Sequence, residues 1–273
     1  MSEYRALTEE EIGILEEQGC TADDWTSVDV TEDFRPTHLR GVEFHGEVRL
    51  GCFDKTVEAG FGFRKHSGLR NVVLNNVSIG DNCLIENVGN YISNYDIYDD
   101  CYISNVGTIE TTEGATFGQG ISISVLNEAG KGNIVLFEQL TAQIADLMVR
   151  EQSNSEVSTT LHAMVRDEVD RMMPERGYIG NGAKITSVKE ISNTIVGDGC
   201  EVAGASRLSN CTVSGKGDAC SYIGQDVICE NSIITTASSV VDGAHINNCF
   251  VGESSVLANG FSAESCVFFA NSY

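Results

Sequence analysis

Aliphatic residues recur on a six-residue grid: Val73, Ile79, Ile85, Ile97, Ile103 and Ile109, with Tyr91 in the one remaining place. Six does not fit the 3.6-residue period of a helix face, and it overshoots a single alternating strand. It suits a coil of three short strands per turn, each sending one aliphatic inward. A longer repeat agrees. Ile79–Asn90 lies over Ile97–Thr108, eighteen positions on, with Asp, Cys, Ile, Asn, Val and Gly recurring in order. Val73–Ile79 matches Tyr91–Ile97 at the same offset, so the array begins no later than Val73. Coils stacked ~4.8 Å apart place equivalent side chains in ladders along the axis.

Upstream, Val42, Phe44, Gly46, Val48 and Leu50 alternate with Glu43, His45, Glu47 and Arg49, which predicts a half-buried strand. Before it, Thr8-Glu9-Glu10-Glu11 reads as a capping box, with Leu7 and Ile12 as the staple and Gly19 as the stop of a helix. Thr21–Asp24 can start a second turn anchored by Trp25, the single tryptophan. This segment is expected to cap the open edge of the first coil.

Downstream, the grid stops at Asn127–Asn133 and the period becomes helical. Phe137, Leu140, Ile144, Leu147 and Met148 mark one face; after a second capping box at Ser153–Glu156, Leu161, Val165, Val169 and Met172 mark another, ended by Pro174. The solenoid resumes at Tyr178 with a seventeen-residue step and a four-residue excess between Gly215 and Tyr222. Thr194, Cys211, Ser232, Cys249 and Cys266 then share one column of small polar residues. The chain thus divides into a helical cap and lead-in (1–41), a first array (42–125), a loop and helical hairpin insertion (126–177) and a second array (178–273). It stops partway through a coil at Tyr273, which fits a fragment of a longer protein or an end covered by a C-terminal partner or domain.

Composition narrows the function classes. Forty acidic residues against seventeen basic ones give a net charge of −23, which opposes binding to nucleic acid or an anionic membrane. No apolar run approaches the ~18 residues needed to span a bilayer, and the N-terminus lacks a signal-peptide pattern, so a cytoplasmic location is expected. Ten cysteines fall on the repeat grid without any CxxC pair and read as small core or corner residues rather than metal ligands.

Hexads such as Ile79-Gly80-Asp81-Asn82-Cys83-Leu84 and Ile223-Gly224-Gln225-Asp226-Val227-Ile228 resemble those of the hexapeptide-repeat superfamily. The resemblance implies an all-β fold: a single-stranded left-handed parallel β-helix, here with an inserted α-helical hairpin and an N-terminal capping helix. The Asn-Ser/Cys/Thr-x-Ile/Val ladder of the second array looks most like the C-terminal solenoids of sugar nucleotidyltransferases. The whole arrangement, including Val125–Gly130, is similar to a bacterial family carrying only a domain-of-unknown-function label. Superfamily members are mostly acyltransferases using acetyl-CoA or an acyl carrier, commonly homotrimers, with a His as general base.

That resemblance makes the histidines the residues to test. His66 lies in Arg64-Lys65-His66-Ser67-Gly68-Leu69-Arg70, where three of the seventeen basic residues fall within seven positions. Such a cluster can hold an anion through Arg64, Lys65 and Arg70 with His66 as base, or it can pair with the surplus of carboxylates. Asn127 and Lys131, in the loop before the helices, are candidate ligand contacts. His45, among Glu43, Glu47 and Arg49, is the second candidate base; His162, His245 and His38 carry no comparable pattern. The expected activity is transfer of an acyl group, with acyl-CoA as co-substrate, to a sugar-like acceptor. The alternatives are a non-catalytic assembly or regulatory module and a sugar-nucleotide binding module.

Overall fold

The computed structural model describes residues 4–60, 62–125 and 132–273. In chain order the elements are β1 (Tyr4–Ala6), α1 (Glu9–Glu17), β2 (Thr21–Ala22), β3 (Val28–Thr31), β4 (Leu39–Leu50), β5 (Thr56–Gly60), β6 (Phe63–His66), β7 (Gly68–Ile79), β8 (Leu84–Ile97) and β9 (Tyr102–Glu110). Then come β10 (Ser122–Ser124), β11 (Asn133–Val135), α2 (Ala142–Arg150), α3 (Ser155–Met172), β12 (Gly177–Ile179) and a series of two- and three-residue strands ending at Val267–Phe268.

Nearly all the strands belong to one sheet of 23, paired in parallel apart from β1. The sheet closes on itself in three ladders. One runs Leu39, Leu69, Ile85, Ile103, Ile185. A second runs Phe44, Leu74, Ile92, Ile109, Ile191. The third runs Leu50, Ile79, Ile97, Ile179. Every one of these side chains is buried, and the ladders continue through the second array. This is a solenoid, and a mostly β chain with one long parallel sheet fits a parallel β-helix.

Left-handed residues make the corners. Asn71 and Asn76 in β7, Asn87 and Asn94 in β8 and Asn105 in β9 all have φ between +53° and +56°. Asparagine tolerates this region better than most residues because its short amide bonds locally. The bonds also link coils: Asn76 donates to Asn94 Oδ1 at 3.4 Å, and Asn94 donates to the Thr111 carbonyl at 3.1 Å. In β4 the equivalent corner is Gly46, at φ +60°, where a Cβ would meet Asn76 Oδ1 at 2.2 Å.

Two details of the hydrophobic pattern are corrected. Gly46 is an exposed corner and not part of an inward face; Val42, Phe44, Val48 and Leu50 are the buried set. Val73 and Tyr91 do not point inward either. Their neighbours Leu74 and Ile92 do: each stands five residues before the next grid position of its strand, Ile79 and Ile97, and the register shifts between Arg70 and Leu74 in β7 and between Val88 and Tyr91 in β8.

The lead-in takes part in the sheet itself. β2 pairs in parallel with Glu43–Phe44 and β3 with Val48–Leu50, so the segment supplies a partial coil of its own. Thr8 and Glu11 form the expected capping box on α1, and Leu15 from that helix is fully buried in the core. The expected turn after Thr21 is a short strand followed by a 3₁₀ turn at Trp25–Ser27, capped by Asp24.

Two excursions leave the coil. The antiparallel hairpin β5–β6 emerges between Leu50 and Gly68. The larger one separates Ile97 from its ladder partner Ile179 and contains β10–β11, α2 and α3. Phe137 and Leu140 are buried in the turn before α2 rather than on the helix, which begins at Ala142 after the Thr141 cap. The excursion lies against an outward column of the second array, where Ile233, Phe250 and Val267 follow Thr212. Its two ends are joined at the solenoid wall: the Gly177 N–H donates to Thr111 Oγ1 at 2.8 Å.

The column Thr194, Cys211, Ser232, Cys249, Cys266 has a structural role. Each side chain donates to the carbonyl two residues before it, and Thr194 and Ser232 accept the N–H of the next coil at 3.3 and 2.9 Å. All ten cysteines are free thiols, and burial pushes Cys200 and Cys249 up to about 11.

Candidate functional site

The basic cluster around His66 is engaged internally. Lys65 Nζ lies 2.6 Å from Glu86 Oε1, whose carboxylate is buried and also accepts from Ser104 at 3.3 Å. Arg70 Nη1 is 3.8 Å from the other Glu86 oxygen, and its Nη2 donates to the His66 carbonyl at 3.0 Å. His66 Nδ1 is 2.9 Å from the Ser67 carbonyl, and its ring stacks on His38 at 3.7 Å between centroids. Arg64 is exposed on β6, in register with Glu58 across the hairpin. Lys65 and Arg70 therefore converge on one buried carboxylate. Asn127 and Lys131 lie outside the described residues.

His45 has a different setting. Pairing of Thr21–Ala22 with Glu43–Phe44 places Asp23 beside it, and the Asp23 N–H donates to the Phe44 carbonyl at 3.1 Å. Asp23 Oδ2 is 2.6 Å from His45 Nδ1. A carboxylate on Nδ1 selects the tautomer with the proton there and leaves Nε2 as the basic nitrogen. Glu43 stands 3.9 Å from that Nε2.

His45 lines a cavity of about 550 Å³ on the outer wall of the second ladder, with Val73, Asn75, Tyr91, Ser93, Glu110 and the Thr111–Glu113 segment. A second cavity of about 370 Å³ shares Asn94 and Thr111–Glu113 with the first and adds Glu47, Asn76, Glu175 and Arg176. Together they form one polar groove, bounded by the segments that leave and re-enter the coil around the helical insertion.

The groove walls are held by their own hydrogen bonds. Asn75 donates to Ser93 at 3.0 Å, and Tyr91 donates to Glu110 at 2.8 Å, a bond that raises the Tyr91 phenol above its ordinary value. Arg176 donates to the Asn76 carbonyl at 2.8 Å and has Nε 3.5 Å from Asp96. Amides, hydroxyls and carboxylates around one tyrosine ring provide both partners for a polyhydroxylated ligand, and a ring face to stack on. Among the described residues, no three His, Cys, Asp or Glu side chains converge to hold a metal ion.

Sequence reasoning ranked His45 second and missed Asp23 altogether. Tyr91 was visible as the odd member of the aliphatic grid. That oddness is the trace of its outward position on the groove wall.

Residues 4–273 match the model of a family described as Domain of unknown function (DUF4954). The chain belongs to that family. An uncharacterized protein of Treponema pallidum (strain Nichols) is 27% identical over 242 residues, covering 85% of this chain and 33% of the relative. The chain therefore spans about a third of the length of the curated relative it matches. No helix among the described residues is long and apolar enough to cross a membrane.

Proposed function

We propose that this family member is a left-handed β-helix that transfers an acyl group to a hydroxyl or amine of a sugar-like acceptor held in the polar groove. The base in this reading is His45 rather than His66. The Asp23–His45 contact, at 2.6 Å on the rim of the groove, carries the proposal. Nε2 of His45 takes the proton from the acceptor. The acceptor oxygen or nitrogen attacks the thioester carbonyl of an acyl-CoA. The C–S bond then breaks, and the leaving thiolate takes the proton back from His45. Asp23 orients the ring and stabilises the imidazolium. Tyr91, Asn75, Asn94 and Glu110 bind acceptor hydroxyls. Resemblance to trimeric transferases supports a homo-oligomer, and α1 serves as the cap of the first coil.

The test is acetyl-CoA turnover against a panel of neutral and amino saccharides, followed by thiol release, with binding scored separately by thermal shift. His45→Gln is expected to lose about 10²–10⁴-fold in turnover while keeping saccharide binding. Full turnover in His45→Gln would overturn the assignment.

A second reading, an assembly module, draws on an apolar cavity of about 530 Å³ between α2 and the last coil, lined by Val149, Val267, Phe268 and Phe269. Binding of no saccharide by the wild type would favour this reading.

A further inference from the structure

Hairpin β5–β6 forms a two-stranded sheet separate from the solenoid. Such a hairpin is marginal alone in water, so its position depends on what holds its root. Several contacts do so, among them Lys65 to the buried Glu86 at 2.6 Å, Lys55 to Asp100 at 3.0 Å, the Arg70 guanidinium to the His66 carbonyl at 3.0 Å, and the stack of His66 on His38. The two imidazole rings are 3.7 Å apart and only 15° from parallel. Immediately behind them, the His38 carbonyl fills the space a side chain on Gly68 would need, with a Cβ there only 2.2 Å away. The strand after the hairpin therefore fits closely against His38.

We propose that the His38–His66 stack is an acid-sensitive latch that holds the β5–β6 hairpin against the solenoid and releases it as the pH falls below about 6.5.

The charges around the latch favour a neutral His38 ring. His38 faces His66 from β6, Arg70 from β7, and Arg35 and Asp54 from the segments on either side of β4. Arg35 and Asp54 lie 3.5 Å from each other, which offsets the one carboxylate near the ring. On the hairpin side, the Lys65 ammonium is matched by Glu86. A proton on His38 thus sets an imidazolium face-on against the His66 imidazole, close to the Arg70 guanidinium, without a free carboxylate to balance it.

Burial first, and then His66 and Arg70, hold His38 below the ordinary histidine value. The sign follows from linkage. The released state binds more protons than the latched one, so latching is complete above about 6.5 and is lost progressively as the pH falls through that value. The core need not open, since Leu39 and Leu69 beside the latch are fully buried in the first ladder. Release frees Lys65 from Glu86 to join the already exposed Arg64 in a cationic arm on an otherwise acidic protein, and uncovers Glu86.

The experiment is amide hydrogen exchange on the intact chain, read over residues 56–66 and over β8 as internal reference, from pH 7.5 to pH 5.0 and corrected for intrinsic exchange. Protection of the hairpin is expected to fall several-fold, with a ceiling of about 30-fold for one histidine at pH 5, while β8 stays unchanged. His38→Phe keeps an aromatic face on His66 without a titrating group, and is expected to flatten the profile. Histidine ring NMR on the wild type supplies the check that needs no variant: His38 should titrate below about 6.5. A pH-independent hairpin, an unaltered step in His38→Phe, or a His38 that titrates at or above the ordinary value would each overturn the latch.

Discussion

At the scale of single residues, one position with no room for a larger side chain is a glycine. Gly177 re-enters the coil directly above Tyr95, and a Cβ on it would lie 2.5 Å from the Tyr95 ring and 2.8 Å from Thr111 Oγ1. Tyr95 is fully buried, and its hydroxyl bonds both backbone groups of Thr194, 99 residues away. One large and one absent side chain thus share the space that two aliphatics fill elsewhere in the ladder. Gly177→Ala should destabilise the chain by about 1–3 kcal/mol through overpacking, read as a lowered denaturation midpoint. Tyr95→Phe keeps the ring but strands the Thr194 groups, and should cost about 1–3 kcal/mol by a different route. If Gly177→Ala melts like wild type, the close approach of the two residues is wrong. Asp23 and His45 are the opposite case, a pair whose removal should leave stability nearly unchanged because both are exposed.

At the scale of elements, the parts that repeat were legible and the parts that interrupt were only located. Ile79, Ile85, Ile97, Ile103 and Ile109 are all buried as the six-residue grid requires, because a ladder forces the same residue type at each coil. The capping box on α1 was legible for a local reason: three residues determine it. The Arg5 guanidinium adds what the local pattern does not contain, and its hydrogen bonds hold the Glu11 carboxyl down to about 2. That contribution to α1 is present above the ordinary glutamate value near 4.3 and is lost as the pH falls toward 2. Thr8→Ala should cost about 1 kcal/mol at neutral pH, seen as faster amide exchange in residues 9–17 only. Uniform loss of protection through the solenoid would show that α1 is not an independent unit. The Asp23–His45 pair was not legible, because a two-residue strand such as Thr21–Ala22 carries no periodic signal. Only its parallel pairing with Glu43–Phe44 brings the carboxylate to the imidazole. Arg64, Lys65, His66 and Arg70 were legible as a cluster, but the buried Glu86 that engages two of them sits 16 to 21 positions downstream of those two.

At the scale of the whole molecule, electrostatics and packing oppose each other. The ladders bury a continuous apolar core whose coils support one another, as in other repeat stacks. The surface carries a net charge of −23, and self-repulsion of that size favours the expanded state. Most ion pairs are exposed and contribute ~0–1 kcal/mol each. The pairs of Lys65 and Arg70 with Glu86 differ, since the Glu86 side chain is only 7% exposed and salt screens them least. Raising ionic strength from about 0.01 to 0.15 M shortens the screening length from roughly 30 to roughly 8 Å. The repulsion acts over the longer of these distances and the pairs over the shorter, so salt should remove more of the first than of the second. The midpoint of thermal unfolding should therefore rise by roughly 2–4 °C, the shift expected for a gain of about 1 kcal/mol in a chain approaching this size. Sodium chloride and potassium chloride should act alike, since screening depends on ionic strength and not on a bound cation. A midpoint that falls with salt would mean that the ion pairs outweigh the net charge. A rise specific to one cation would place a binding site among the carboxylates, with the groove residues Glu47, Glu113 and Glu175 the first to be changed to glutamine.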